Sequence, residues 1–136
     1  PREVIEYMGT VNRVFQGLGV EVLEAQPGRS LFAMVVKEPH TNTFGALHGG
    51  IIFALADQTF GFTCNAKNEK AVSAGATIEF LGPAQLGDRV ISEANEVYRE
   101  GRNALYDVKI WVEATGGVVA HVRGRMRILG GSVMPE

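Results

Sequence analysis

The sequence predicts an α+β domain in which an antiparallel sheet wraps one long apolar helix. Three observations carry this. Residues 49–64 form the most apolar stretch of the chain, and the segments on either side read as strands. In the C-terminal half those strands alternate apolar and polar residues with period two. Short Gly and Pro signals separate them, which suits hairpins rather than crossover helices. A chain of 136 residues fits one domain over 1–136 and is too short for two.

Taken in order, Val4, Ile5, Met8, Val11 and Phe15 recur at helical spacing, so an N-terminal amphipathic helix is expected, ended by Gly17 and Gly19. Residues 18–23 read as a strand, Pro27-Gly28 as a turn and residues 30–37 as a second strand. Residues 38–47 are irregular, and the long helix runs from His48-Gly49-Gly50 to about Asn65. Residues 77–81 are the next strand, stopped by Gly82-Pro83, followed by a strand over 90–98 and a turn at Gly101-Arg102-Asn103. From Ala104 to Val112 the apolar row Ala104, Tyr106, Val108, Ile110, Val112 opposes Asp107, Lys109 and Glu113. In the last strand, 118–129, Ala120, Val122, Met126 and Ile128 alternate with His121, Arg123, Arg125 and Arg127. A sheet that buries a helix on one face leaves its other face and its edges in need of partners, so an oligomer is expected.

Composition narrows the function. A net charge of −2 gives no footprint for nucleic acid. The apolar stretch is shorter than the roughly 20 residues needed to span a bilayer, and Asp57 lies inside it, so no membrane partner is expected. One cysteine, Cys64, cannot form an intramolecular disulfide, and residues 1–6 hold no apolar leader run. A cytoplasmic location follows as an expectation. Three scattered histidines and one cysteine make no zinc pattern, so neither a metal nor another cofactor is expected.

The chemistry centres on Asp57. Every residue from Ile51 to Ala56 is apolar, and Phe60 and Phe62 continue the trend. A helix apolar all round is expected to be buried on all sides, where a carboxylate costs several kcal/mol unless paired or hydrogen-bonded. Asp57 therefore reads either as a functional carboxylate or as a structural one held by a nearby donor. At the helix start, unpaired N–H groups and glycines that admit a close ligand could polarise a carbonyl oxygen. The alternative is a turn that needs only glycine's dihedrals. Gly49 and Asp57 lie eight residues apart, about 12 Å along a helix. An aspartate cannot span that distance, so if both act on one carbonyl they come from two helices, most simply in a two-fold dimer with shared sites.

The run Asn42-Thr43-Phe44-Gly45-Ala46-Leu47-His48-Gly49-Gly50, continued by the segment from Ile51 to Asp57, resembles the hot-dog thioesterases of the 4-hydroxybenzoyl-CoA thioesterase superfamily. Its PaaI-like branch, named for the phenylacetate-pathway thioesterase, is the nearest match. Further matches lie in residues 77–84, in Leu86-Gly87-Asp88 and in residues 127–131, so the resemblance covers 18–131. It implies a hot-dog fold, an acyl-CoA substrate and hydrolysis without metal; a homodimer with shared active sites follows from the helix geometry above, and a homotetramer is common among relatives. By position Asp57 resembles the family's nucleophile or general base, and Gly49 its backbone donor to the thioester carbonyl. Asn42 resembles the asparagine that orients water or carbonyl, His48 and Gly50 belong to the motif, and Ser73 falls where some relatives place a serine that assists the water.

Coenzyme A brings phosphates, so Arg99, Arg102, Arg125 and Arg127 are candidates to meet them, and Pro83 to line the pantetheine tunnel. Solvated strand faces and surface pairs are the alternative for the arginines. Phe80, with Phe44, Phe53 and Phe60, either lines an aromatic acyl pocket or belongs to the core, which leaves aryl and medium-chain acyl groups open. A non-catalytic acyl-CoA-binding protein and a hot-dog hydratase are the alternatives to hydrolysis. Trp111, opposite the apolar row, is expected at a subunit contact.

Overall fold

The apolar stretch is a helix because His48 starts it and nothing breaks it for 17 residues. His48 is extended and caps the helix, accepting the Gly50 N–H on its side chain. The computed structural model describes residues 1–135. Its elements are α1 (Arg2–Val11), α2 (Arg13–Leu18), β1 (Glu21–Gln26), β2 (Arg29–Val35), a single 3-10 turn (Glu38–His40), α3 (Gly49–Asn65), β3 (Ala71–Phe80), β4 (Arg89–Glu100), β5 (Asn103–Val112) and β6 (Val118–Ile128).

The six strands form one antiparallel sheet in the order β1-β2-β4-β5-β6-β3. Between β2 and β3 the chain must cross the sheet, and α3 is that crossing. It packs Ile52, Leu55, Ala56 and Phe60 onto a floor that includes Ala94, Tyr106, Val108, Val122 and Met126. The apolar row expected of β5 is all buried. Gly124 of β6 is the one place where the floor must be bare: a Cβ there would lie 2.7 Å from the Phe60 ring. The threonines of α3 are satisfied inside the core. Thr59 shares a 2.7 Å hydrogen bond with Ser92 of β4 and donates to Leu55 O at 2.7 Å; Thr63 meets Ser30 of β2.

The N-terminal helix differs from expectation. It breaks at Asn12, which turns extended and accepts the Phe15 N–H at 2.9 Å, capping a second short helix that ends in left-handed Gly19. Val11 is consequently exposed, while Phe15 stacks on Phe62 of α3 at 4.9 Å between ring centroids. Residue 18 is thus helical, and β1 begins at Glu21 rather than at 18. Arg2 reaches over the edge of β1, donating to Val22 O and Leu23 O, each at 3.2 Å.

The opposite edge is β3, and it begins at Ala71, six residues before the expected start at 77. Apart from Val72 those residues are small and weakly β-forming, and pairing with β6 along the whole length holds them as a strand. A bulge between Ser73 and Gly75 interrupts that register.

Near the C-terminal end of α3 a polar cluster lies partly beneath the sheet. Tyr106 donates to Glu96 at 3.0 Å and Lys67 to the same oxygen at 2.8 Å. Burial favours the neutral carboxyl of Glu96, but these two hydrogen bonds and the nearby cations hold it below its usual value. Burial pushes the Tyr106 phenol and the Cys64 thiol up.

Candidate functional site

The expectation that α3 is covered on every side fails within one chain. Its sheet-facing side is buried, but Gly50, Phe53, Ala54, Asp57 and Gly61 follow one another down a stripe that the sheet covers only in part. Asp57 stands on that stripe and is half-buried. The cost of a carboxylate in an apolar helix is relieved in two ways: water still reaches it, and the Ser73 hydroxyl donates to its Oδ1 at 2.7 Å. Ser73 lies opposite Met126 in the ladder, on the inner face of β3, which aims it at the helix.

Asp57 and Ser73 open onto a cleft of about 140 Å³. Gln58 adds a third polar wall, and Met8, Phe62 and Met126 supply the apolar ones. Met8 is on α1, so the N-terminal helices close one side of the cleft.

A second cluster lies at the other end of the same helix. The Gly50 N–H donates to His48 Nδ1 at 2.8 Å, so this ring nitrogen is the acceptor and Nε2 is the one left for a proton. The Gly49 N–H, at the first helical position, has no acceptor among the described residues and sits at the positive end of the helix dipole. The Phe80 ring lies 3.4 Å from where a Gly49 Cβ would be, and 55% of its surface is exposed. The loop before His48 is tied down firmly. Asn42 Oδ1 accepts from Phe44 N at 2.9 Å and from Ala46 N at 3.1 Å, an Asx turn that commits this oxygen to the loop. His48 N donates to the carbonyl of buried His40, and Leu47 N to Ala84 O, each at 2.8 Å. Pro83 is exposed immediately before Ala84.

The structure thus gathers the site residues into two groups. Asp57 and Ser73 form one; Asn42, His48, Gly49, Gly50 and Phe80 form the other, with Pro83 in the adjoining loop. The helix axis keeps the groups apart by about 12 Å. The aromatic candidates also separate: Phe60 is core against Gly124, Phe44 is 90% exposed on the loop, and Phe53 is 38% exposed on the stripe.

The arginines lie elsewhere. Arg123, Arg125 and Arg127 project from the outer face of the sheet, opposite α3. Arg123 is paired with Asp107, whose carboxyl that guanidinium holds below its usual value. Arg125 donates to Ala74 O at 3.2 Å at the β3 bulge, and Arg127 makes no ion pair among the described residues. Arg99 pairs with Glu69 at 2.8 Å, and Arg102 donates to Ile128 O at 3.2 Å and Leu129 O at 2.9 Å. Trp111 lies on the outer face, with the Lys109 ammonium 5.5 Å from its ring.

Gln58, Met8 and Asn12 beside the cleft escaped the sequence reading. Gln58 was legible as a polar residue next to Asp57; Met8 lies on α1 and Asn12 at the break after it, and no local pattern reveals how that segment docks.

Comparison with known proteins places this geometry. The model of the thioesterase superfamily matches residues 44–128. Acyl-coenzyme A thioesterase PaaI of Escherichia coli (strain K12) is 31% identical over 121 residues, 89% of this chain and 86% of that one. Acyl-coenzyme A thioesterase 13 of Homo sapiens is 33% identical over 126 residues, 90% of this chain and 89% of that one. The solved structure of the E. coli PaaI protein from the phenylacetic acid degradation operon superposes with a TM-score of 0.92 at 28% identity, covering 96% of this chain and 94% of that one. With its six-stranded sheet packed on one long helix in the hot-dog manner, the chain is a PaaI-like member of the thioesterase superfamily.

Proposed function

We propose that this chain hydrolyses an acyl-CoA thioester, with an aryl or medium-chain acyl group, to the free acid and coenzyme A. The observation that carries the reading is Asp57 itself: a carboxylate held by Ser73 at the mouth of a cleft, on a helix whose first N–H is free. The family membership and the names of the relatives support the same class of reaction. In this reading the thioester carbonyl oxygen accepts the Gly49 N–H, which stabilises the negative charge that develops there. Asp57 either attacks the carbonyl carbon, giving a mixed anhydride that water then hydrolyses to the free acid and the regenerated carboxylate, or takes a proton from a water that attacks directly; on either route the C–S bond breaks to release the thiolate, which regains a proton. His48 shapes the helix start through Gly50, and Asn42 orients the carbonyl or the water from a loop it holds in place. Ser73 fixes the rotamer of Asp57.

Because Gly49 and Asp57 stand at separate levels of one helix, the site is assembled from two copies, each contributing one group to the other. The partly uncovered stripe of α3 and the open edge of β3 are the surfaces available for that pairing. A tetramer would pair two such dimers. Arg125 and Arg127 are the readiest to meet the phosphates of coenzyme A; Arg99 and Arg102 would do so only by sharing donors with their present partners. Pro83 and Phe80 border the pantetheine path, and the single buried thiol of Cys64 suits a cytoplasmic protein.

Thiol release from acetyl-, octanoyl- and phenylacetyl-CoA tests the reading. Turnover by the native chain that falls a hundredfold or more in Asp57→Ala, with acyl-CoA still bound, is the expected result. Binding without turnover in the native chain would overturn it in favour of a ligand-binding protein.

A further inference from the structure

Ser73 meets Asp57 from a strand whose own ladder holds it weakly at that point. Within the sheet β3 has a neighbour on one side only, β6, and the register between them is interrupted between Ser73 and Gly75. Ser73 is the third residue of β3, so only Ala71 and Val72 separate it from the preceding loop. Strand ends next to a loop open locally at little cost, and a hydroxyl carried there keeps one position only if something besides the ladder fixes its backbone.

Asn65 supplies that tie. It is the last residue of α3 and buried, and its carboxamide is fully used. Its Nδ2 donates to Gly61 O at 2.8 Å and to Ala71 O at 3.1 Å, and its Oδ1 accepts the Ala71 N–H at 3.0 Å. The bond to Gly61, one helical turn back, fixes the orientation of the amide. The other two engage both backbone groups of Ala71, as a residue of a neighbouring antiparallel strand would. Although Asn65 borders the cleft, its polar atoms are all taken by protein partners, which leaves it none to offer a ligand.

Asp57, Gly61 and Asn65 recur every four residues and so share one face of α3, while Ala71 and Ser73 are two apart and share the inner face of β3. The pairs Asn65–Ala71 and Asp57–Ser73 are therefore successive rungs between the same helix face and the same strand. Gly61 stands between them and puts no side chain into the gap. We infer that Asn65 is a positioning residue for the reaction: by clamping the start of β3 to the end of α3, it sets the Ser73 hydroxyl against Asp57. The inference rests on the thioesterase reading, in which Asp57 acts on the thioester or on its water.

A double-mutant cycle on kcat tests it, by thiol release from whichever of acetyl-, octanoyl- and phenylacetyl-CoA the native chain turns over fastest. Asn65→Leu is similar in size and makes none of the three bonds. It is expected to lower kcat roughly tenfold with KM little changed, the scale expected for loss of the Ser73 hydroxyl itself. In the Ser73→Ala background the same substitution is expected to change kcat by less than about twofold, because the group it positions is gone. Any fall in melting temperature, by contrast, persists in both backgrounds. Losses that multiply to roughly a hundredfold in the double variant overturn the inference, since Asn65 would then act independently of Ser73. Native kcat in a folded Asn65→Leu also overturns it, and both results leave the hydrolase reading intact. If Asn65→Leu does not fold, Asn65→Asp takes its place in the cycle: it keeps an acceptor for the Ala71 N–H, lacks both donors, and is judged by the same outcomes. Hydrolysis of none of the three thioesters by the native chain overturns the thioesterase reading and this inference with it.

Discussion

Ser73 Oγ donates to Asp57 Oδ1 at 2.7 Å, tying the edge strand β3 to the middle of the helix that crosses the sheet. The bond joins two elements that meet only in the folded chain, and it holds the one carboxylate of α3 in a single orientation. If Asp57 acts on the thioester, its removal and that of Ser73 differ in scale. Asp57→Asn, nearly isosteric, is expected to lower kcat on the order of a hundred- to ten-thousandfold. Ser73→Ala, which removes one hydrogen bond to a charged group, is expected to cost roughly tenfold with KM little changed. Steady-state thiol release on both variants checks the order; equal losses would make Ser73 a participant rather than a positioning residue.

The separation of Gly49 from Asp57 predicts complementation between copies. Asp57→Ala and Gly49→Val are each expected to be inactive, the valine by crowding the carbonyl site against Phe80. Mixed and re-equilibrated, two-fold dimers of one of each variant contain one site with both native groups. About a quarter of native activity is then expected, since statistical mixing makes half the dimers mixed and half of their sites intact. No recovery in purified mixed dimers would sink the shared site.

Gly61 offers a way to change the cleft without touching the carboxylate. A leucine there meets no neighbouring atom at Cβ, and its side chain extends into the cleft. The expected outcome for Gly61→Leu is an intact fold with kcat/KM reduced roughly tenfold or more for phenylacetyl-CoA and little for acetyl-CoA, as judged by a circular dichroism melt and the ratio of the two rates. Equal loss on both would place the acyl group elsewhere.

Gly124 tests the core beneath the helix. Alanine at this position would bring a methyl group to 2.7 Å from the fully buried Phe60 ring, which has no free space to yield. Gly124→Ala is expected to destabilise the chain by about 1–3 kcal/mol, read from the urea midpoint. A variant of native stability would show that the ring is free to shift.

Glu96 predicts a pH dependence. Its carboxyl lies below its usual 4.5 in the folded chain, although burial opposes this, because Lys67 and Tyr106 hydrogen-bond it. As pH falls the unfolded chain takes up this proton first. The contribution to stability is therefore full above the ordinary value and is lost as pH drops through the depressed one. Urea midpoints from pH 7 to pH 3 should fall more steeply for the native chain than for Glu96→Gln. Parallel curves would remove the role of this pair.

Much of the fold was open to reading because its strongest signals are local. The period-two alternation from 104 to 112 belongs to a strand with one face on the core, and the same row is buried in the structure. The His-Gly-Gly start of α3 lies where the apolar run begins, and His48 caps the helix there. The elements that were misplaced have no such signal. Ala71 to Ala76 carries, apart from Val72, small residues with little strand preference, and pairing with β6 draws it into the sheet. Asn12 breaks the N-terminal helix by capping the next one, a competition between two local hydrogen-bond patterns that apolar spacing does not register.

By itself, the sequence determined the order of the main elements, the long helix, and the presence of a carboxylate that an apolar helix must account for. These depend on neighbours a few residues apart, where periodicity and capping act. Tertiary structure decided what surrounds that carboxylate. It set Ser73 against Asp57 across 16 positions of sequence, left the stripe that bears Asp57 partly uncovered, and brought Met8 from the first helix to the cleft wall. Such contacts are set by how the sheet pairs and how α3 lies across it, and the chain carries no local mark of either.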